Sequence, residues 1–272
     1  MICFPNAKIN LGLYVTGKRD DGFHDIESIF YPVPFCDVLE MVPADTYSFQ
    51  CSGAELPGEP LDNLVVKAYR LMQEKHDLPA VSIYLLKNIP AGAGLGGGSS
   101  DASFALKLLN DLFDLKLTVG TLTDYAATLG SDCPFFIPNY PAYVFGRGEL
   151  MEAVDPDLKG CHIVVICPGI HIATGEAYQN IKTYSKLNIP LPYLIQRDRE
   201  HWKTSLQNDF EPYAFGQFPL LKETKDQMYA SGAVFASMSG SGSAIFGLFE
   251  KEVDIDGWDI MDNWRIWRGV LK

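Results

Sequence analysis

Between Pro90 and Ala102 the chain reads PAGAGLGGGSSDA, and six of these thirteen residues are glycine or proline. The stretch before it, VSIYLL at 81–86, has the apolar character of a strand. The stretch after it places Ala102, Ala105, Leu106, Leu109 and Phe113 on one helical stripe. A plain connector between a strand and a helix needs few glycines. Residues without a Cβ let backbone N–H groups approach an anion closely. A helix start adds unpaired N–H groups and the positive end of the helix dipole. Ser99 or Ser100 is expected to cap that helix, and both offer hydroxyl donors. The pattern predicts a polyphosphate cradle.

Two familiar cradles do not fit. Gly92-x-Gly94-x-x-Gly97 matches the dinucleotide fingerprint, but a Rossmann unit returns to a parallel strand after its helix. Here a second helical stretch, 118–130, comes first and ends at Gly130. The loop also lacks the GK[ST] ending of a Walker motif.

Composition narrows the partners. The 272 residues carry a formal net charge of -12, which argues against nucleic acid as a ligand. An anionic small molecule then needs local help, from placed cations, a metal ion or a helix end. No apolar run has the length of a membrane span, and MICFPNAKIN lacks the pattern of a secretory leader. Six cysteines without a CxxC pair read as buried free thiols of a cytoplasmic protein.

Along the chain the pattern is α+β. In AKINLGLYV the odd positions Ala7, Ile9, Leu11, Leu13 and Val15 are apolar, which predicts a half-buried strand. Lys8 and Asn10 then share its other face, about 7 Å apart. Strands are expected at 24–35, 37–43, 46–52 and 162–168, and helices from 62–63, at 118–130, near 198–207 and at 218–231. A second glycine loop, SMSGSGSAIFGLF at 237–249, runs into a strand, and the tryptophans 258, 264 and 267 read as packing residues. Two domains are expected, 1–155 and 156–272.

Three stretches now combine. AKINLGLYVTGKRDDGFHDIESIF, PAGAGLGGGSSDA and SMSGSGSAIFGLF resemble the three motifs of the GHMP kinase superfamily. The first, together with GSDCPFF (130–136) and NDFEP (208–212), is similar to the branch acting on 4-diphosphocytidyl-2-C-methyl-D-erythritol. The resemblance implies a ribosomal-S5-like N-terminal domain and a ferredoxin-like C-terminal domain. It implies transfer of the ATP γ-phosphate to the 2-hydroxyl of that substrate, in non-mevalonate isoprenoid precursor synthesis. Mg2+ would come with ATP, held largely by phosphates and waters, since no cluster has the spacing of a dedicated metal cage.

The resemblance also assigns residues. Pro90, Ala91, Gly92, Ala93, Gly94, Leu95, Gly96, Gly97, Gly98, Ser99 and Ser100 would hold ATP. Asp132 would be the catalytic aspartate, against the plain alternative of a turn residue before proline. Its DCPFF surroundings are apolar, so its carboxylate needs a partner, and Lys8 is the candidate. A solvated strand face is the plain alternative for Lys8. Asn10 would contact substrate. Phe23 stands where the family usually has tyrosine, and stacking on cytosine needs only the aromatic face. His24 would meet the base edge, and Tyr178 would form the second wall. Gly240 and Ser241 would close toward the phosphates. Asn208 and Asp209 match a family signature without an assigned role. Kinases for homoserine, mevalonate or a sugar, and a catalytically silent nucleotide-binding module, are the competing readings. The aromatic–histidine pair at 23–24 separates the first group, and Lys8 with Asp132 separates the second.

Overall fold

The computed structural model describes residues 1–54, 59–258 and 260–272. Its strands are β1 (Ile2–Cys3), β2 (Asn6–Lys18), β3 (His24–Cys36), β4 (Val38–Pro43), β5 (Ser48–Gly53), β6 (Val81–Lys87), β7 (Ala142–Gly146), β8 (Leu150–Ala153), β9 (His162–Cys167), β10 (Phe235–Met238), β11 (Ile245–Phe249) and β12 (Arg265–Val270). Its α-helices are α1 (Leu64–His76), α2 (Gly97–Leu112), α3 (Val119–Leu129), α4 (Thr174–Gln179), α5 (Leu191–Ile195), α6 (Trp202–Ser205), α7 (Glu211–Gln217) and α8 (Pro219–Ala230).

The chain divides into two units, and neither is continuous in sequence. The first comprises Met1–Ala7, Phe35–Ala91 and Gly96–Tyr140. The second comprises Lys8–Pro34, Gly92–Leu95 and Pro141–Lys272. This differs from a single seam near residue 155. The reason lies in β2 and β3, which share a sheet with β7 and β8 in the order β2-β3-β7-β8. The middle of β2 also joins residues far along the chain: Leu13 N donates to the Gln207 carbonyl at 2.8 Å and Asp209 N to the Leu13 carbonyl at 2.9 Å.

In the first unit the sheet order is β1-β4-β6-β5. All pairs are antiparallel except β5 with β6, which α1 connects. Strict alternation makes one face of β6: Val81, Ile83 and Leu85 are buried, while Tyr84 and Leu86 are exposed. The buried face packs with Val65, Ala68 and Met72 of α1 and with Ala102, Ala105, Leu106 and Leu109 of α2. Asn63 caps α1 by accepting from Val65 N at 2.9 Å, and Thr118 caps α3 by accepting from Thr121 N. Such caps contribute about 1 kcal/mol each.

The cap expected for α2 at Ser99 or Ser100 is absent, because the helix starts earlier, at Gly97. Gly96 takes a left-handed conformation, φ 70°, and turns the chain into the helix without a side-chain cap. Ser99 and Ser100 therefore lie inside the first turn.

The second unit holds the sheet that starts with β2 and another of order β10-β11-β9-β12, all antiparallel in the latter. Leu13, Val15, Val164, Ile166, Leu221, Met228, Met238 and Ile245 share a core there. Trp258 and Trp264 pack against it, as expected of packing residues. The helix expected near 198–207 is a 3-10 turn, Arg199–His201, followed by the single turn of α6. Leu206 is extended, which ends it.

β2 departs from the half-buried expectation: Lys8, Asn10 and Tyr14 are as buried as the apolar positions between them. Glycine segments cover that polar face. Lys8 N donates to the Leu95 carbonyl at 2.9 Å, and Gly240 N donates to Asn10 Oδ1 at 2.9 Å. The cysteines are all free, but Cys51 is exposed rather than buried.

Asn208, left without a role by sequence, holds the second glycine loop. Its amide donates to the carbonyls of Met238 and Gly240, both at 2.8 Å, and its oxygen accepts from Phe210 N at 3.0 Å. Each buried partner left unmatched costs about 1–3 kcal/mol. Asn208→Ala should therefore lower unfolding stability by about 3 kcal/mol in urea titrations, while exposed Gln207→Ala changes it by less than about 0.5 kcal/mol.

Candidate active site

The glycine-rich stretch at 90–102 is divided between the two units and is supported differently in each. In the first unit, α2 presents its opening turn. Ser100 N already bonds the Gly96 carbonyl at 2.8 Å. The N–H groups of Gly97, Gly98 and Ser99 precede the first intrahelical bonds of α2, as in any helix. Gly98 is exposed, and a Cβ there would meet nothing closer than Leu64 Cδ1 at 3.8 Å. Gly97 faces inward, where a Cβ would lie 2.9 Å from Ile89 Cγ2 and 3.3 Å from Lys87 Nζ. Pro90 and Ala91 lead into the loop in the same unit.

The middle of the loop, Gly92, Ala93, Gly94 and Leu95, belongs to the second unit, where it packs on the second glycine loop. Ala244 N donates to the Ala93 carbonyl at 3.0 Å, and Ser239 Oγ to the Gly94 carbonyl at 2.8 Å. A Cβ on Gly94, whose φ is 78°, would lie 1.9 Å from the Ser239 carbonyl oxygen. The approach is backbone on backbone, and only glycine permits it.

Asn10 organises the polar face of β2. Its Oδ1 accepts from Lys8 Nζ at 2.7 Å, from Gly240 N at 2.9 Å and from Ser239 Oγ at 3.4 Å. Its Nδ2 donates to Ser28 Oγ at 2.9 Å, and Ser28 Oγ donates to the Gly12 carbonyl at 2.6 Å. Both ends of the Asn10 carboxamide are thus engaged by protein groups. Lys8 is 3% exposed, which excludes a solvated strand face. Its ammonium also lies 4.6 Å from the centre of the Phe30 ring. Gly240 thus hangs between two asparagines, its N–H on Asn10 and its carbonyl on Asn208. Ser241 Oγ meets Thr174 Oγ1 at 3.0 Å, at the first residue of α4.

Asp132 lies in the first unit, directly before a buried 3-10 turn, Cys133–Phe136. It is half-buried, and its side chain does not cap that turn. Lys8 lies in the second unit.

The aromatic group assembles around His24. Its ring stacks on Tyr178, with centroids 4.7 Å apart and planes within 16°. Tyr178 in turn meets Phe210 edge-on at 4.9 Å. At that spacing no third ring fits between His24 and Tyr178. Burial, then the charge of Lys18, holds the His24 imidazole below its ordinary pKa, so the ring is neutral at pH 7, with one donor and one acceptor nitrogen. Phe23 is 59% exposed, and the Arg147 guanidinium lies 5.2 Å from its ring centre. Sequence reasoning missed Arg147, which follows Gly146 in the turn between β7 and β8.

It also missed a buried ion cluster beneath α2. Lys87 Nζ bonds both Asp37 and Asp101, and all three residues are at most 2% exposed. The signal was present: inward positions in β6 are odd-numbered, and Lys87 continues the row Val81, Ile83, Leu85. A separate cavity of about 830 Å³ in the second unit is lined in part by Lys182, Asp209, Glu211 and Tyr213. Its carboxylates already serve Val15 N and Ser185 Oγ (Asp209) and Met238 N and Lys225 (Glu211).

The chain matches the family models for the GHMP kinases N terminal domain over residues 63–139 and for the GHMP kinases C terminal over residues 191–257. It is 48% identical over 263 residues to the 4-diphosphocytidyl-2-C-methyl-D-erythritol kinase of Bacteroides fragilis, covering 95% of this chain and 96% of that one. The chain belongs to the 4-diphosphocytidyl-2-C-methyl-D-erythritol kinase family of GHMP kinases. A crystal structure of a 4-(cytidine 5'-diphospho)-2C-methyl-D-erythritol kinase, 35% identical, superposes with a TM-score of 0.79 over 91% of this chain and 90% of that one. A homoserine kinase from Cytophaga hutchinsonii superposes with a TM-score of 0.70 over 100% of this chain and 94% of that one. At 16% identity it shares the GHMP kinase fold alone.

The two glycine environments make opposite predictions for this family member. Gly94→Ala should cost at least about 2 kcal/mol in denaturant unfolding, from the left-handed backbone and the carbonyl clash together. Gly98→Ala sits in open helix and should change stability by less than about 1 kcal/mol.

Proposed function

We propose that this chain transfers the γ-phosphate of ATP to the 2-hydroxyl of 4-diphosphocytidyl-2-C-methyl-D-erythritol, giving the 2-phosphate and ADP, in the cytoplasmic non-mevalonate route to isoprenoid precursors. The observation that carries the reading is the Asn10 carboxamide, which joins the Lys8 ammonium to the Gly240 amide. An oriented buried cation beside a glycine loop is of use to a developing phosphoryl charge. A module that merely binds nucleotide has no need of it.

In this reading the amides of Gly97, Gly98 and Ser99 hold the phosphates, while the Gly240 amide stays on Asn10 and fixes the second glycine loop beside Ser241. Asp132 positions the acceptor hydroxyl. Phosphoryl transfer is loose, so the hydroxyl keeps its proton until late, and Asp132 takes it then. Lys8 stabilises charge on the transferring group. Phe23 supplies a flat face for cytosine, His24 a neutral donor–acceptor edge, and Tyr178 the opposite wall. For Tyr178 to serve so, it must part from His24, on which it now stacks. Mg2+ would accompany ATP and would supply charge neutralisation for its phosphates. Among the described residues no group of three His, Cys, Asp or Glu side chains is assembled to hold a metal, and no step is assigned to it. No helix of the described residues is long and apolar enough to cross a membrane.

Three measurements test the reading. ADP release should be fast with the cytidine substrate and at background with homoserine or mevalonate; a preference for either of the latter overturns it. Asp132→Asn should lower kcat by about 10²-fold or more with the KM for ATP within about twofold. Phe23→Ala should raise KM for the cytidine substrate and leave that for ATP unchanged; an effect confined to ATP would displace Phe23 from the base site.

A further inference from the structure

The Lys87–Asp37–Asp101 cluster lies outside the roles above and brackets the glycine loop. Asp37 Oδ1 accepts from Asn88 N at 2.5 Å and from Ile89 N at 2.8 Å, fixing the two residues before Pro90. Asn88 Nδ2 adds a bond to the Cys36 carbonyl at 3.0 Å. Lys87 Nζ bonds the other Asp37 oxygen and reaches Asp101 Oδ2 at 2.6 Å, in the second turn of α2. The chain running into the loop and the helix leaving it are thus tied through one ammonium. Gly97 makes the tie possible, since a Cβ there would lie 3.3 Å from Lys87 Nζ.

The cluster is not balanced. One cation faces two carboxylates, and Asp101 Oδ1 has no hydrogen-bond partner. A buried ionised oxygen without a donor is costly. A proton on Asp101, held against the Asp37 carboxylate, removes that cost and leaves the cluster neutral. We propose that Lys87, Asp37 and Asp101 are positioning residues for the nucleotide loop, and that Asp101 takes up a proton when a polyphosphate binds at the start of α2. The inference rests on the reading of that loop as the ATP site.

The electrostatics agree with the geometry. Burial raises the Asp101 pKa, the Lys87 charge lowers it and the Asp37 charge raises it, with the balance at about 7. Burial acts to lower Lys87, but the two carboxylates outweigh it and hold the ammonium charged. The other titratable groups in the field of Asp101 are Cys3 on β1 and Cys51 on β5, both thiols held above their ordinary range first by burial. Lys107, on the next turns of α2, faces Cys3 and the Phe136 carbonyl. Cys133, beside the start of α2, is likewise raised, to about 11. From α1 the buried side chains are Val65, Val66, Ala68, Tyr69 and Met72, of which only the Tyr69 phenol titrates, held above its ordinary range first by burial; from α3 they are Leu122 and Ala126, both apolar. An anion bound at the first turn of α2 disfavours a second negative charge on Asp101, so binding pulls in a proton.

The sign is therefore fixed. As pH rises through about 7, Asp101 ionises and ATP affinity falls. KM for ATP should rise about threefold or more between pH 6.5 and 8.5 in the native protein, beyond the change seen in Asp101→Asn, which keeps the shape and cannot ionise. The titration of ATP itself is common to both proteins. kcat and KM for the cytidine substrate should follow parallel pH profiles in the two. Calorimetry of ADP binding at pH 7.5, in buffers of different ionisation enthalpy, should show proton uptake by the native protein that Asp101→Asn lacks. Superimposable pH profiles, equal proton uptake, no uptake by the native protein, or an equal rise in both KM values in Asp101→Asn would overturn the inference. ADP that fails to bind the native protein at any pH would overturn the nucleotide reading beneath it, and this inference with it.

Discussion

A backbone that is to face a phosphate must be bare enough for close approach and still be held in one conformation. Glycine supplies the first property and works against the second, because it loses the most conformational entropy on ordering. This protein meets the conflict with buried polar side chains whose bonds end on the backbone of the glycine segments or beside it. Asn10 and Asn208 hold Gly240 from its two sides, Ser239 holds Gly94, and Asp37 holds Asn88 and Ile89. Most of these bonds are buried, where a lost partner costs more than the same bond is worth at the surface. These bonds tie the glycine segments to the surrounding strands and helices.

The proposed function asks an acidic chain to receive an anion. At a net charge of -12 the molecule as a whole repels polyphosphate. In the proposed reading the amides at the start of α2 act over a few ångströms, where the distant surface charge is screened. The cluster beneath α2 adds a condition, since its charge depends on one proton.

Periodicity and glycine pattern carried much of this into the sequence. The loop at 90–102, the alternation of β6 and the stripe of α2 were readable because each obeys a local rule. The placement of Lys8 and Asn10 on one face of β2 was readable too, but not their burial, which comes from chain segments more than eighty residues away that cover the strand. The start of α2 was misplaced by three or four residues because a serine cap is the usual solution, and here a left-handed glycine replaces it. Asp37 and Asp101 gave no signal: each is an ordinary acidic residue until the fold brings both to Lys87. The two units were hidden for the same reason, since β2 and β3 join partners from the far half of the chain.

The central claim is that the first-turn amides of α2 grip the triphosphate. A crystal structure with a non-hydrolysable ATP analogue tests it most directly. The account predicts phosphate oxygens within hydrogen-bond distance of the amides of Gly97, Gly98 and Ser99. Phosphates bound elsewhere on the protein, with those amides facing solvent, would contradict it.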